Sequence, residues 1–236
     1  MVKAWSERID PVVAWLKWPS AALAALASPL LAWALARLLW RCLIGPWLLL
    51  PFVSGGLLFF IVWRRWLGKS RWGKALITLE HEMTHALFAW LTLHPVLSMW
   101  ASGDEVGHVR FRGQPNWLIA VAPYFFPTAA LLMFLIAFLM PFQGLPWRSF
   151  LLGVALSYHI ISTYRETHRD QSDLRYLGTL FCWLFLPAAN LAVLGFLLAY
   201  AHGGADGIHQ WCVDAWEPVA IANERFQLFN SYGKLD

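Results

Sequence analysis

The sequence predicts an all-α membrane protein of about six transmembrane helices, with one short β-hairpin between the third helix and the fourth. Three observations carry this prediction. Charged residues make up 14% of the chain and hydrophobic ones 59%, whereas a soluble domain carries about a quarter charged residues. The apolar residues gather into runs near 20–40, 43–63, 75–93, 117–140, 147–164 and 176–200. Each run approaches the roughly 20 residues that cross about 30 Å of hydrocarbon. Many of the 16 tryptophans, among them Trp40, Trp63, Trp72, Trp100, Trp117, Trp147 and Trp211, stand where apolar runs meet polar ones. Amphipathic rings favour that headgroup level.

Residues 1–74 read as an amphipathic segment followed by a helical hairpin. The start mixes Lys3, Glu7, Arg8, Asp10 and Lys17 with Trp5, Val12 and Val13, which suits an interfacial helix better than a cleavable signal peptide. The runs 20–40 and 43–63 contain Pro29, Pro46 and Pro51 and are expected to form a bent pair, with Arg37 and Arg41 snorkelling between them. The basic cluster Arg64, Arg65, Lys69, Arg71 and Lys74 holds much of the +4 net charge. Beside an apolar run such a cluster points to contact with a lipid bilayer and to a cytoplasmic connection, not to nucleic acid. Cys42, Cys182 and Cys212 lack metal-ligand spacing and imply no disulfide framework.

Residues 75–200 read as the core. The third run carries His81-Glu82-Met83-Thr84-His85. On a helix the two imidazoles stand one turn apart on one face and can share a zinc ion. Glu82, between them, can reach the attacking water and take its proton as general base. Residues 94–116 alternate around Val106, His108, Arg110 and Arg112, with glycines at 103, 107 and 113, and predict the hairpin. The run 117–140 contains Pro123 and Pro127. Residues 201–236 form a polar tail with Trp211, Trp216, Phe226 and Phe229.

A catalytic zinc needs a third protein ligand and an open position. Phe88 and Leu91 stand where a metzincin has its Gly and last His, and Glu105 has a thermolysin-type spacing but sits in a turn. The remaining supply of carboxylates is the charged segment 165–175, with Glu166, Asp170 and Asp173.

These features resemble, in order, the site-2 protease family of intramembrane zinc metalloproteases, and its compact bacterial members in particular. They are His81 to Leu93, the strand Gly107 to Phe111, the proline-bearing Ala122 to Pro127, and Gln171-Ser172-Asp173-Leu174 at the edge of a later run. The resemblance covers roughly residues 75–200. It implies zinc held by His81, His85 and Asp173, with Glu82 as catalytic base. It also implies a hairpin edge around Val106, His108 and Arg110 that pairs with the substrate strand. The expected activity is hydrolysis of peptide bonds in or next to membrane segments of substrate proteins, in a multi-pass protein of a bacterial inner membrane. The family's Asn-Pro stretch ending in Leu-Asp-Gly is absent, and Asn190 is a candidate for its oxyanion role, against a plain helix–helix hydrogen bond. Two alternatives stand beside this. Glu166-Thr167-His168-Arg169-Asp170 also resembles the Glu-x-x-x-Asp pattern of membrane zinc proteases related to the prenyl-protein-processing enzymes, where Glu166 would be the third ligand. A zinc-stabilised, non-catalytic membrane binding or regulatory protein is the other. The sequence specifies no oligomeric state.

Charge-based topology conflicts with this ligand set. With the cluster 64–74 cytoplasmic, spans 75–93, 117–140 and 147–164 would put Asp173 on the opposite side from His81. A hairpin that dips back along its helix is the preferred resolution, ahead of a re-entrant proline-rich span or an outward-facing basic cluster.

Overall fold

The computed structural model describes residues 5–45, 47, 49–104, 106–139, 145–168 and 171–232. The elements, in chain order, are α1 (Trp5–Ile44), α2 (Leu49–Arg65), α3 (Arg71–Leu91), β1 (Val96–Ala101), β2 (Gly107–Phe111), α4 (Trp117–Val121), α5 (Thr128–Leu139), α6 (Leu145–Glu166), α7 (Ser172–Leu177) and α8 (Thr179–Tyr232). Single 3-10 turns cover Leu67–Lys69 and Ala122–Tyr124.

Among the described residues three helices are long and apolar enough to cross a membrane: α1, α2 with the turn after it, and α8. The bent pair Trp117–Tyr124 and Thr128–Leu135 would make a fourth. The expected count of about six is not reached on this measure. The other two segments, α3 and α6, have 21 and 22 residues and are long enough, but they carry polar side chains to the centre of the molecule. Glu80, His81, Glu82, Thr84 and His85 of α3, and His159 and Ser162 of α6, are all buried.

Lead-in and first run form one helix. Pro11, Pro19 and Pro29 lie inside α1 without ending it. The expected α1–α2 pairing is replaced by two others: α1 packs along α8, and α2 along α6. The α2–α6 seam is built on small residues, because a Cβ on Gly55 would strike the Phe150 backbone and one on Gly153 the Phe52 carbonyl. Close backbone approach of this kind is how helices associate where no hydrophobic drive acts between them. Gly153→Val is expected to cost about 1–3 kcal/mol through overpacking, read as a lowered thermal midpoint in detergent. An unchanged midpoint would show that the seam can open freely.

The long α8 is two limbs. Gly204 has φ 59 and ψ −139, outside the helical region, and a Cβ on Gly195 would meet the Trp211 indole. Sixteen residues of straight helix would hold those two about 24 Å apart, so the second limb folds back on the first. This returning limb is the expected polar tail, and it changes the reading of the α1 arginines. Arg41 pairs with Asp214 at 2.5 Å and Arg37 with Glu217 at 3.2 Å. Asp214 is only 1% exposed, so Arg41 is held by a carboxylate and does not snorkel to water.

The hairpin forms as expected. β1 and β2 are antiparallel, with Trp100 opposite His108 and a register irregularity between Val96 and Ser98. It lies back along α3. At its root, His94 accompanies the end of α3, where its backbone N–H donates to Ala89 O at 2.7 Å. At its tip, Asp104 pairs with Arg71 at the start of α3.

The proline-rich run breaks. The α4–3-10 turn and α5 meet at 70°, around Pro123 and Pro127, which supply no backbone N–H. This bend removes the topological conflict. α5 starts beside Glu80, where the Ala129 N–H donates to Glu80 Oε1 at 2.9 Å, and α6 returns to the same level, where the Ser162 hydroxyl donates to Glu80 Oε2 at 2.9 Å. Chain leaving α3 near its middle therefore comes back to its middle, and α7 follows at once.

Candidate metal centre

Ser70 caps α3 by accepting the Gly73 N–H at 3.0 Å, and the helix then carries its polar residues into the packed interior. Thr84 donates to Glu80 O within the helix and shares a 2.6 Å hydrogen bond with Thr128 at the start of α5. Glu80 thus has no ligand role: both its oxygens tie α5 and α6 to α3.

Three donor atoms converge one turn further along. His81 Nε2 and His85 Nε2 are 3.1 Å apart, and Asp173 Oδ2 lies 3.7 Å from the first and 3.3 Å from the second. Ligands held tetrahedrally at the 2.0–2.1 Å typical of zinc stand roughly 3.4 Å apart. The separations here bracket that value. The ring orientations agree with it. His85 Nδ1 lies 2.9 Å from Ile119 O, and a carbonyl can only accept, so Nδ1 carries the proton and Nε2 presents a lone pair. His81 Nδ1 faces Glu166 Oε2 at 3.4 Å, which favours the same tautomer. Two nitrogen lone pairs and a carboxylate oxygen aimed at one point repel each other unless a cation lies between them, so the donor set fits zinc.

Of the carboxylates in 165–175, Asp173 stands with the Nε2 atoms, while Glu166 stands behind His81 on its other ring nitrogen. Asp170 and Glu105 lie outside the described residues. Tyr124, which composition gave no reason to single out, has its hydroxyl 3.5 Å from Asp173 Oδ2 and its ring edge-on to His81. Asn190 donates to Tyr124 O and Leu186 O, both at 3.0 Å, which is the helix–helix hydrogen bond and leaves no N–H for an oxyanion.

Glu82 is buried under the start of β2. A Cβ on Gly107 would fall 2.8 Å from Glu82 Oε1 and 2.6 Å from Thr78 Cγ2. The glycine is there because the strand passes directly over the carboxylate. Gly107→Ala is expected to push Glu82 or the strand aside, reducing hydrolysis while zinc content is kept. Measured zinc and cleavage falling together would contradict this. Val106, His108 and Arg110 are exposed, while Gly107, Val109 and Phe111 are half-buried against α3.

Residues 52–188 match the Peptidase M50B-like family model. The chain belongs to that family. No curated protein and no solved structure gives a significant match. The M50B-like family agrees with the site-2 protease resemblance, and the matched stretch runs from α2 into the first limb of α8. It contains the whole donor set, the hairpin and the bent segment. Membership makes this a membrane protein of the metallopeptidase class.

Proposed function

We propose that this M50B-like protein is an intramembrane zinc metalloprotease that hydrolyses peptide bonds in or next to membrane segments of substrate proteins. The observation that carries the reading is the spacing of His81 Nε2, His85 Nε2 and Asp173 Oδ2. Among the described residues the cluster has three donors, the number a catalytic zinc takes from protein, whereas a structural zinc normally takes four. Bound there, zinc supplies Lewis acidity that polarises the scissile carbonyl and acidifies the attacking water. Glu82 accepts that water's proton and returns it to the leaving amine. Ile119 O holds the His85 imidazole in the tautomer that presents Nε2, and the Glu166 carboxylate stands behind His81 Nδ1. Glu80, Thr84 and Thr128 fix the helices behind them.

The strand at Val106, His108 and Arg110 presents an edge to which an extended substrate adds by backbone pairing. A helical substrate unwinds first, since the amides of a regular helix are already hydrogen-bonded. A groove of about 1140 Å³ between α6, α7 and the first limb of α8 reaches Tyr124 and is walled by Leu156, Trp183, Leu186 and Leu191. It offers a membrane segment a sideways approach to the donor set. We place the protein in a bacterial inner membrane. In detergent or liposomes, a single-span model substrate is expected to be cleaved, cleavage to stop on adding 1,10-phenanthroline, and to return with zinc. Cleavage that persists in chelator sinks the reading.

A further inference from the structure

The family match begins at residue 52, yet the first turns of α1 touch three elements around the donor set, the hairpin root, α4 and α7. Asp10 lies between two of them. Its Oδ1 accepts from Asn116 Nδ2 at 3.1 Å, and its Oδ2 stands 3.3 Å from His94 Nε2. Asn116 is the N-cap of α4, where its Oδ1 accepts the Ile119 N–H at 3.1 Å. The Ile119 carbonyl in turn accepts from His85 Nδ1. His94, fully buried, roots the hairpin whose second strand covers Glu82.

Two further ties run from α1. The Trp117 indole N–H donates to Val13 O. Lys17 Nζ donates to Leu177 O at 2.9 Å, at the end of the helix that carries Asp173. Val13, Ala21, Trp117, Ala120, Val121, Leu177 and Phe181 form one buried apolar cluster, so these polar contacts are anchored in packed surface and do not dangle at its rim.

We infer that α1, which lies outside the family match, is a brace for the metal centre, with Asp10 a positioning residue that acts through Asn116 and Ile119 on His85. A short α4 of 5 residues has little stability of its own. Without its cap and its tether the Ile119 carbonyl moves, and His85 loses the acceptor that sets its tautomer and aim. Outer partners of this kind are worth about 10–100-fold in metal affinity. Asp10 acts one step further out, so about a tenfold loss is expected. This inference rests on His81, His85 and Asp173 being the ligands.

The test is metal binding by the full chain in detergent. Zinc affinity is measured by competition with a chelator, and the visible ligand-field spectrum is recorded after cobalt substitution. Asp10→Ala is expected to bind zinc about tenfold more weakly and to show a shifted cobalt spectrum, with the zinc-free thermal midpoint little changed. Asp10→Asn keeps an oxygen for Asn116 and should recover most of the affinity. Asp104→Ala, at the exposed hairpin tip, should match the unaltered chain. If Asp10→Ala fails to fold, Asp10→Ser, whose shorter side chain gives up the 3.1 Å contact with Asn116, carries the comparison, with the same loss of about tenfold expected. Affinity and spectrum equal to the unaltered chain's in the folded Asp10→Ala or Asp10→Ser variant would overturn the brace while leaving the metal centre standing. An unaltered chain that takes up no stoichiometric zinc or cobalt would overturn the metal centre itself.

Discussion

Glu82→Gln is expected to keep the zinc and lose peptide-bond hydrolysis by a factor on the order of 10²–10⁴. The substitution preserves shape and removes only the ability to accept a proton. Glu82 is buried beside the donor set but is not one of its three converging atoms, so the ligands are untouched. Its carboxylate lies directly under Gly107, and the neutral amide fits the same space. Zinc by elemental analysis should remain near one per chain, while cleavage of a single-span substrate falls to background. If cleavage survives, the proton acceptor is another group and the mechanism must be redrawn.

The second large effect separates a ligand from its neighbour. Asp173→Ala removes one of three donors and is expected to weaken zinc binding by more than about a hundredfold, beyond the range for loss of an outer partner. Glu166→Ala removes the group behind His81 Nδ1 and should cost about 10–100-fold. The two carboxylates are close in sequence and similar in exposure, so only their placement distinguishes them. Glu166 proving the more damaging position would reverse their roles and favour the Glu-ligand arrangement of the prenyl-processing type.

The membrane character and the metal motif were legible in the residues. Long apolar runs can hide their backbone only as helices in hydrocarbon, and a His-x-x-x-His spacing on a helix puts two imidazoles on one face. The hairpin was legible too, from period-two alternation and its glycines. The choice between Asp173 and Glu166 was carried by resemblance alone, because no local pattern says which side chain of a charged segment turns toward a distant helix.

Other features had no local signal at all. Arg37 and Arg41 read as snorkelling side chains until the returning limb of α8 brought Asp214 and Glu217 to them; the chain reverses at Gly204, in a backbone region that favours glycine, and the limbs close on Gly195 and Gly207. Counting spans from apolar length put Asp173 across the membrane from His81. A run of the right length can be one helix or two half-length helices at 70°, and composition does not distinguish them. The sequence by itself determined a helical membrane metallopeptidase with His81, His85 and Glu82 on one helix, because periodicity and hydropathy are local. Only the tertiary structure decided which carboxylate faces the histidines, that α5 and α6 start and end at the level of Glu80, and that the N-terminal helix braces the site. Those outcomes depend on packing between residues as much as 160 positions apart, as Lys17 and Leu177 are, and no window along the chain contains both.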